Sequence, residues 1–288
     1  MARLDPSAQG LLDDLIADHH SGATDLALKT LHDLADYTRS RRPKGPALAN
    51  LLTQLQGARP SMVVIAGTLA RVQQRLATAA EDPAAEIEAV QRELMEATDD
   101  LIDHARSQIP EGAVIMTHSA SSVLVRLFQR LVTAHTGFSV ICTQSSPGHE
   151  GHRLARLLDR LGVPVTLITD AQMGVFVATA DLVLTGCDSW QADGHFVNKS
   201  GTRLLALAAR ERSVPFWVLA DSFRDSEVSS DRVPLEEFAV GELGAPSGQW
   251  ITVRNQYFEI IPQHLVTGRI SEQGVFPYPS SSPAAPAP

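Results

Sequence analysis

The stretch DLVLTGCDSWQADGHFVNKSGT, residues 181–202, holds the side chains best suited to chemistry. An apolar run, Leu182 to Leu184, ends on Gly186-Cys187-Asp188, and Asn198-Lys199 follows between Gly194 and Gly201. A carboxylate, an amide and an ammonium gathered at one place can hold a small polyhydroxylated anion, with the carboxylate positioned to exchange a proton. Lys199 draws attention because the chain has only two other lysines, Lys29 and Lys44. Plainer roles fit the same residues. Asp188 is also a good turn residue, and Asn198-Lys199-Ser200-Gly201 also reads as a loop before a helix capped by Ser200.

The elements that must position these groups follow from hydrophobic patterning. Five continuous apolar runs, 113–117, 138–143, 165–169, 182–185 and 215–220, are each followed by a helical stretch. Continuous rather than alternating apolar strands predict a parallel sheet covered on both faces. The loops after these strands are polar: Thr117-His118-Ser119-Ala120-Ser121-Ser122, Thr143-Gln144-Ser145-Ser146-Pro147-Gly148, Asp170, Gly186-Cys187-Asp188 and Asp221-Ser222-Phe223-Arg224. In an open parallel sheet all of them share the carboxyl edge, where such folds bind ligands. Ser119 to Ser122 also open a helix, whose free N–H groups attract anions. With Lys199 and Arg224 adding positive charge, the expected ligand is small, anionic and hydroxyl-rich, a sugar phosphate or a nucleotide. Any single Ser, Thr or Asp of this set is equally a cap.

Up to Ile109 the chain reads as helix, with Leu11, Leu12, Leu15, Ile16, Leu26, Leu28, Leu31 and Leu34 at helical spacing and Pro43, Pro46 and Pro60 as breaks. A long amphipathic helix is expected after Pro83, and Pro110-Glu111-Gly112 marks a boundary. Three parts are therefore predicted: a helical domain over 1–109, an α/β domain with the ligand pocket over 110–276, and a disordered Pro/Ala/Ser tail over 277–288. Residues 221–260 read as loop-rich, with a late strand near Ile251 to Val253.

A net charge of −9 argues against direct nucleic-acid binding. Two cysteines, Cys142 and Cys187, make neither a disulfide framework nor a zinc site. His149 and His152 stand three apart without a carboxylate at metal spacing, and His19-His20 reads as surface or capping; no metal and no cofactor are expected. No apolar run approaches membrane-spanning length and MARLDPSAQG lacks a leader pattern, so a cytoplasmic location is expected. There is no G-x-S-x-G elbow, Walker loop or dinucleotide G-x-G-x-x-G after a strand.

The segments VIMTHSASSVLVRL, FSVICTQSSPGHEGHRLARLLDRLGVPVTLITD, ADLVLTGCDSWQADGHFVNKSGT, PFWVLADSFR and FEIIPQHLVTGRISEQGVF, in this order, resemble the alpha/beta/delta subunits of translation initiation factor 2B. That family includes the isomerases of ribose-1,5-bisphosphate and of methylthioribose-1-phosphate, and SRRPKGPALANLL resembles an N-terminal pattern of the ribose-bisphosphate branch. The resemblance implies an N-terminal helical domain followed by a Rossmann-like parallel-sheet domain of the NagB/RpiA/CoA-transferase-like kind, with the ligand between them and assembly into homodimers or higher oligomers. It implies an acid/base role for Asp188, substrate binding by Asn198 and Lys199, and contacts to the phosphosugar from Arg42, Gly22 and Ala23 and from the Ser121-Ser122 loop. Arg224 falls where the ribose-bisphosphate branch has lysine.

Three departures matter. Ser119 stands at the isomerases' catalytic cysteine, Gln144-Ser145-Ser146-Pro147 replaces Glu-Ser/Thr-Arg-Pro, and Ser21-Gly22-Ala23 replaces Arg-Gly-Ala. A serine hydroxyl is a far poorer base than a thiolate, and His118 points to the other side of an extended segment. The expectation is a binding protein that senses a phosphorylated sugar or nucleoside monophosphate in a regulatory or assembly role, with related subunits as further partners. The alternative is a divergent aldose–ketose isomerase using Asp188 with Ser119 or a water. A structural subunit with a vestigial pocket is the third option.

Overall fold

The computed structural model describes residues 3–18, 21–60, 62–78, 82–235 and 237–279; His19, His20 and the tail from 280 lie outside them. Five helices come first: α1 (Pro6–Ala17), α2 (Ala23–Arg41), α3 (Gly45–Gln56), α4 (Val63–Thr78) and α5 (Pro83–Arg106). Local chemistry sets their starts. Asp5 and Asp82 accept backbone N–H bonds at the heads of α1 and α5, each followed by proline where its missing N–H costs nothing. Pro46 does not break a helix but sits in the first turn of α3. Leu31, Leu34, Leu51, Leu52, Leu55, Ile65, Leu69 and Ile87 interlock as one core.

The α/β part follows as β1 (Ala113–Thr117), α6 (Ser122–Thr133), β2 (Phe138–Thr143), α7 (Glu150–Arg160), β3 (Val165–Ile168), α8 (Met173–Phe176), β4 (Leu182–Thr185), β5 (Ser189–Gln191), β6 (His195–Lys199), α9 (Thr202–Glu211), β7 (Phe216–Leu219), β8 (Asp225–Ser226), β9 (Phe258–Pro262), β10 (Gly268–Ser271) and β11 (Gly274–Pro277). The main sheet runs β11-β10-β7-β4-β1-β2-β3. All its pairings are parallel except β10 with β11. The chain leaves β1 toward β2 and β3 on one side and fills β4, β7 and β10 on the other. The order reverses between β1 and β4, and a crevice opens there at the carboxyl ends of both strands. This is the N-terminal helical, C-terminal Rossmann-like architecture expected from the sequence.

Two features differ from the sequence reading. Residues 251–253 form no strand; Ile251 is 48% exposed, and the late strand is β9, beginning at Phe258. A second sheet, β8-β5-β6-β9, was not anticipated. Within it Asn198 and Lys199 end strand β6 rather than lying in a turn, and α9 is headed by Gly201 without a side-chain cap, so Ser200 does not cap it.

Helical and α/β parts are tied together at two places. Helix α5 contributes Ile87, Val90 and Leu94 to the first core and Leu101, Ile102 and Ala105 to the core under the sheet. The turn after β7 inserts Phe223 into the helical core, with the Arg71 guanidinium 3.7 Å from its ring centroid. Gly67 makes that approach possible, because a Cβ there would lie 2.5 Å from the Phe223 carbonyl oxygen. The helical bundle is thereby held over the carboxyl edge of the sheet.

Candidate functional site

A cavity of about 350 Å³ lies at this edge, between the head of α2 and the loops after β1 and β4. Its lining includes Gly22, Ala23, Ser119, Ser121, Ser122, Asp188, Asn198, Lys199 and Arg224, nine of the ten site residues expected from the sequence. The tenth does not join them. Arg42 is exposed and caps the far end of α2 in a left-handed conformation. The 19 residues of that helix separate it from Gly22 by roughly 28 Å at 1.5 Å per residue.

Three helices begin at the cavity. Gly22 heads α2 and His149 heads α7, neither with a side-chain cap. Ser121 heads α6, its Oγ accepting from the Leu124 N–H at 3.2 Å. Two close approaches shape the wall: a Cβ at Gly22 would lie 3.0 Å from the Ser122 Cβ, and one at Gly186 would lie 2.7 Å from the Ser121 Oγ. Converging N-termini present partial positive charge and free N–H groups, which favour an anion.

Lys199 is 3% exposed. Its Nζ donates to Glu150 Oε1 at 2.8 Å and stands 3.7 Å from the Tyr257 ring centroid. Asn198 donates through Nδ2 to Thr202 Oγ1 at 2.9 Å. Asp188 immediately precedes β5, its N–H donating to the Val197 carbonyl at 2.9 Å. Its half-buried carboxyl receives no hydrogen bond from the described residues. Burial pushes its pKa up to about 7 against the pull of Arg224 and Lys199, with Glu150 adding to the rise. A carboxyl balanced near neutrality can both give and accept a proton. Arg224 is instead a buried brace: Nη1 pairs with Asp221, Nε donates to the Cys187 carbonyl at 2.7 Å, and Nη2 donates to Thr24 Oγ1 at 2.7 Å.

Ser119 reaches the cavity with a positive φ of 65°. Its neighbour His118 cannot serve it as a base. The Ser200 carbonyl can only accept, so His118 Nε2 carries the proton and donates there at 2.8 Å, while Nδ1 accepts from Thr143 Oγ1 at 2.7 Å. Burial lowers the His118 pKa and keeps the ring neutral. The loop after β2 is also occupied: the Asp170 carboxylate accepts from the N–H groups of Ser145 and Ser146 at 2.9 and 2.7 Å. The rings of His149 and His152 stack on each other at 4.9 Å. Burial pushes both native thiols up, Cys142 to about 11 and Cys187 further.

Glu150, Arg153 and Tyr257 escaped the sequence reading. An acidic residue at a helix start reads as an ordinary complement to the dipole, and nothing in the sequence links it to Lys199, 49 residues away. Tyr257 carries no signal at all, since it reaches Lys199 only through the pairing of β6 with β9.

A helical cap over a Rossmann-like sheet, with an anion-complementary cavity at the switch point, defines the class. The initiation factor 2 subunit family model matches residues 19–278, and the chain belongs to that family. It is 38% identical over 185 residues to a putative translation initiation factor eIF-2B subunit 2-like protein of Pyrococcus abyssi, 64% of this chain and 65% of that one. It is 31% identical over 189 residues to a ribose 1,5-bisphosphate isomerase of Haloferax volcanii, 62% of this chain and 57% of that one. The chain thus spans less than two thirds of the length of these relatives. The solved translation initiation factor eIF-2B of Pyrococcus horikoshii OT3 superposes with a TM-score of 0.83 at 29% identity, covering 96% of this chain and 98% of that one. The 5-methylthioribose 1-phosphate isomerase of the same organism shares the fold, with a TM-score of 0.75 at 23% identity. No helix among the described residues is long and apolar enough to cross a membrane.

Proposed function

We propose that the cavity binds a small phosphorylated sugar or nucleoside monophosphate, and that occupancy serves a sensing role linked to assembly with a second copy or related subunits. The observation that carries this reading is the convergence of the heads of α2, α6 and α7 on one cavity that also holds Lys199 and Arg153. The likeness to a ribose 1,5-bisphosphate isomerase supports the phosphosugar class. The exposed apolar side chains of Val240, Leu243, Ile251 and Trp250, the last 90% exposed, support the assembly half. Thermal melting tests binding. AMP or ribose 5-phosphate raises the Tm of the wild type, and Lys199→Ala loses the rise. Identical melting curves with and without every phosphorylated ribose tried remove the binding role.

One observation favours a second reading, a divergent aldose–ketose isomerase. Asp188 faces the cavity without a hydrogen-bond donor among the described residues, and burial raises its pKa to about 7. In that reaction the carboxylate takes a proton from C2 of the open-chain sugar and returns it to C1 through an enediolate, while the O2 hydroxyl proton passes to O1. Ser119 lacks the basicity to share this work, which is why binding is the preferred function. Steady turnover of methylthioribose-1-phosphate or ribose-1,5-bisphosphate that disappears in Asp188→Asn would establish the enzyme.

A further inference from the structure

The charges around Lys199 restrict what the cavity can accept. The Lys199 ammonium is already neutralised by Glu150 Oε1 at 2.8 Å and capped by the Tyr257 ring. Arg224 is neutralised by Asp221 and has its remaining directions filled by the Cys187 carbonyl and Thr24. Asp188 lines the same cavity, and the Glu150 carboxylate adds to the rise in its pKa. Lys199 and Arg224 therefore contribute no surplus positive charge to the cavity, and Arg153, one turn along α7 from Glu150, is the further cation in its lining. Glu150 Oε2 is buried and has no hydrogen-bond donor among the described residues. A sugar hydroxyl can donate to such an oxygen once the side chain turns to it, whereas a phosphate dianion has no proton to give.

The heads of α2 and α6 differ. Gly22 carries no side-chain cap, and Ser121 and Ser122 line the cavity beside it. Two carboxylates stand nearby and both are engaged: Asp25 is bound by Arg126 at 2.6 Å, and Asp18 accepts from the Ser21 N–H and hydroxyl at 2.9 and 2.7 Å. Open N–H groups without a free carboxylate suit a phosphate.

We infer that Glu150 determines specificity by admitting one phosphate and rejecting a second: the phosphate sits at the heads of α2 and α6, and the Lys199–Glu150 pair receives hydroxyls. The ligand class is then a pentose monophosphate or a nucleoside monophosphate, not a bisphosphate. Rejection works through a carboxylate that already occupies Lys199, where a second phosphate would otherwise bind. This inference rests on the reading of the cavity as a phosphosugar site.

Calorimetric titration of ribose 5-phosphate and ribose-1,5-bisphosphate into the wild type and Glu150→Gln tests it. The wild type is expected to bind the monophosphate at least about tenfold more tightly than the bisphosphate. Glu150→Gln keeps an acceptor for Lys199 but removes the charge. It is expected to abolish the preference: the bisphosphate gains about tenfold or more relative to the monophosphate, which loses its carboxylate acceptor for a hydroxyl. A wild type that prefers the bisphosphate overturns the inference without any variant being needed. A preference unchanged in a folded Glu150→Gln overturns it too, and in both cases the cavity remains a phosphosugar site. Failure of both ligands to bind either protein removes the underlying reading and this inference with it.

Discussion

Arg224 and Thr24 meet across 200 residues of chain, the guanidinium Nη2 donating to the hydroxyl at 2.7 Å where the head of α2 crosses the turn after β7. The same guanidinium holds Asp221 and the Cys187 carbonyl. One buried side chain therefore fixes three walls of the cavity. Replacing it with methionine leaves the fully buried Asp221 carboxylate without its cation, and such a loss costs about 3–5 kcal/mol. Arg224→Lys keeps the charge but cannot serve three directions at once, so a smaller loss is expected. Thr24→Ala removes a single hydrogen bond and costs about 1 kcal/mol. Urea unfolding midpoints order the three variants; an Arg224→Met protein as stable as the wild type removes the bracing role.

Asp188 makes stability depend on pH in an unusual direction. Its folded pKa, about 7, lies above the ordinary 3.8, so the folded state holds a proton that the unfolded chain releases. Stability is highest below the unfolded value, declines as pH rises from about 4 to 7, and levels off above the folded value. The decline amounts to roughly 3 kcal/mol once the solvent entering from the cavity is allowed for. Asp188→Asn lacks this component. The difference between the wild-type and Asp188→Asn unfolding free energies should grow between pH 4 and 7; a difference that stays constant across that window contradicts the placement of the carboxyl.

Legibility in the sequence followed burial. The parallel strands could be read because both faces are covered and their residues are nearly all apolar, as in Leu182 to Thr185. The second sheet could not. Its strands β5 and β6 are short and mix Trp190, Phe196 and Val197 with polar residues that face cavities, so neither a period of two nor a continuous run emerges. Ile251 to Val253 failed for the opposite reason, an apolar run with no partner strand to complete a ladder. Asp188, Asn198 and Lys199 were legible because strand ends determine where they go. Arg42 was assigned through the resemblance of its motif, and α2 carries it to the end of the helix far from Gly22, outside the cavity lining. Glu150 became meaningful only once folding placed its carboxylate against Lys199.

Thiol chemistry offers a direct check on where the cavity opens. Cys142 and Cys187 are buried, with burial pushing both thiols well above neutral pH, so neither should react with iodoacetamide in the folded protein near pH 7.5. Ser119 is half-buried and lines the cavity at the approach to the head of α6, where partial positive charge favours a thiolate. Ser119→Cys should therefore take up one label per chain, and a bound ribose phosphate should slow the labelling by about tenfold or more through occupancy of the same space. Mass spectrometry of peptides distinguishes the three cysteines. Labelling of Cys187 ahead of the introduced thiol, or no protection by a ligand that raises the Tm, would mean that the ligand binds elsewhere than between Ser119 and Asp188.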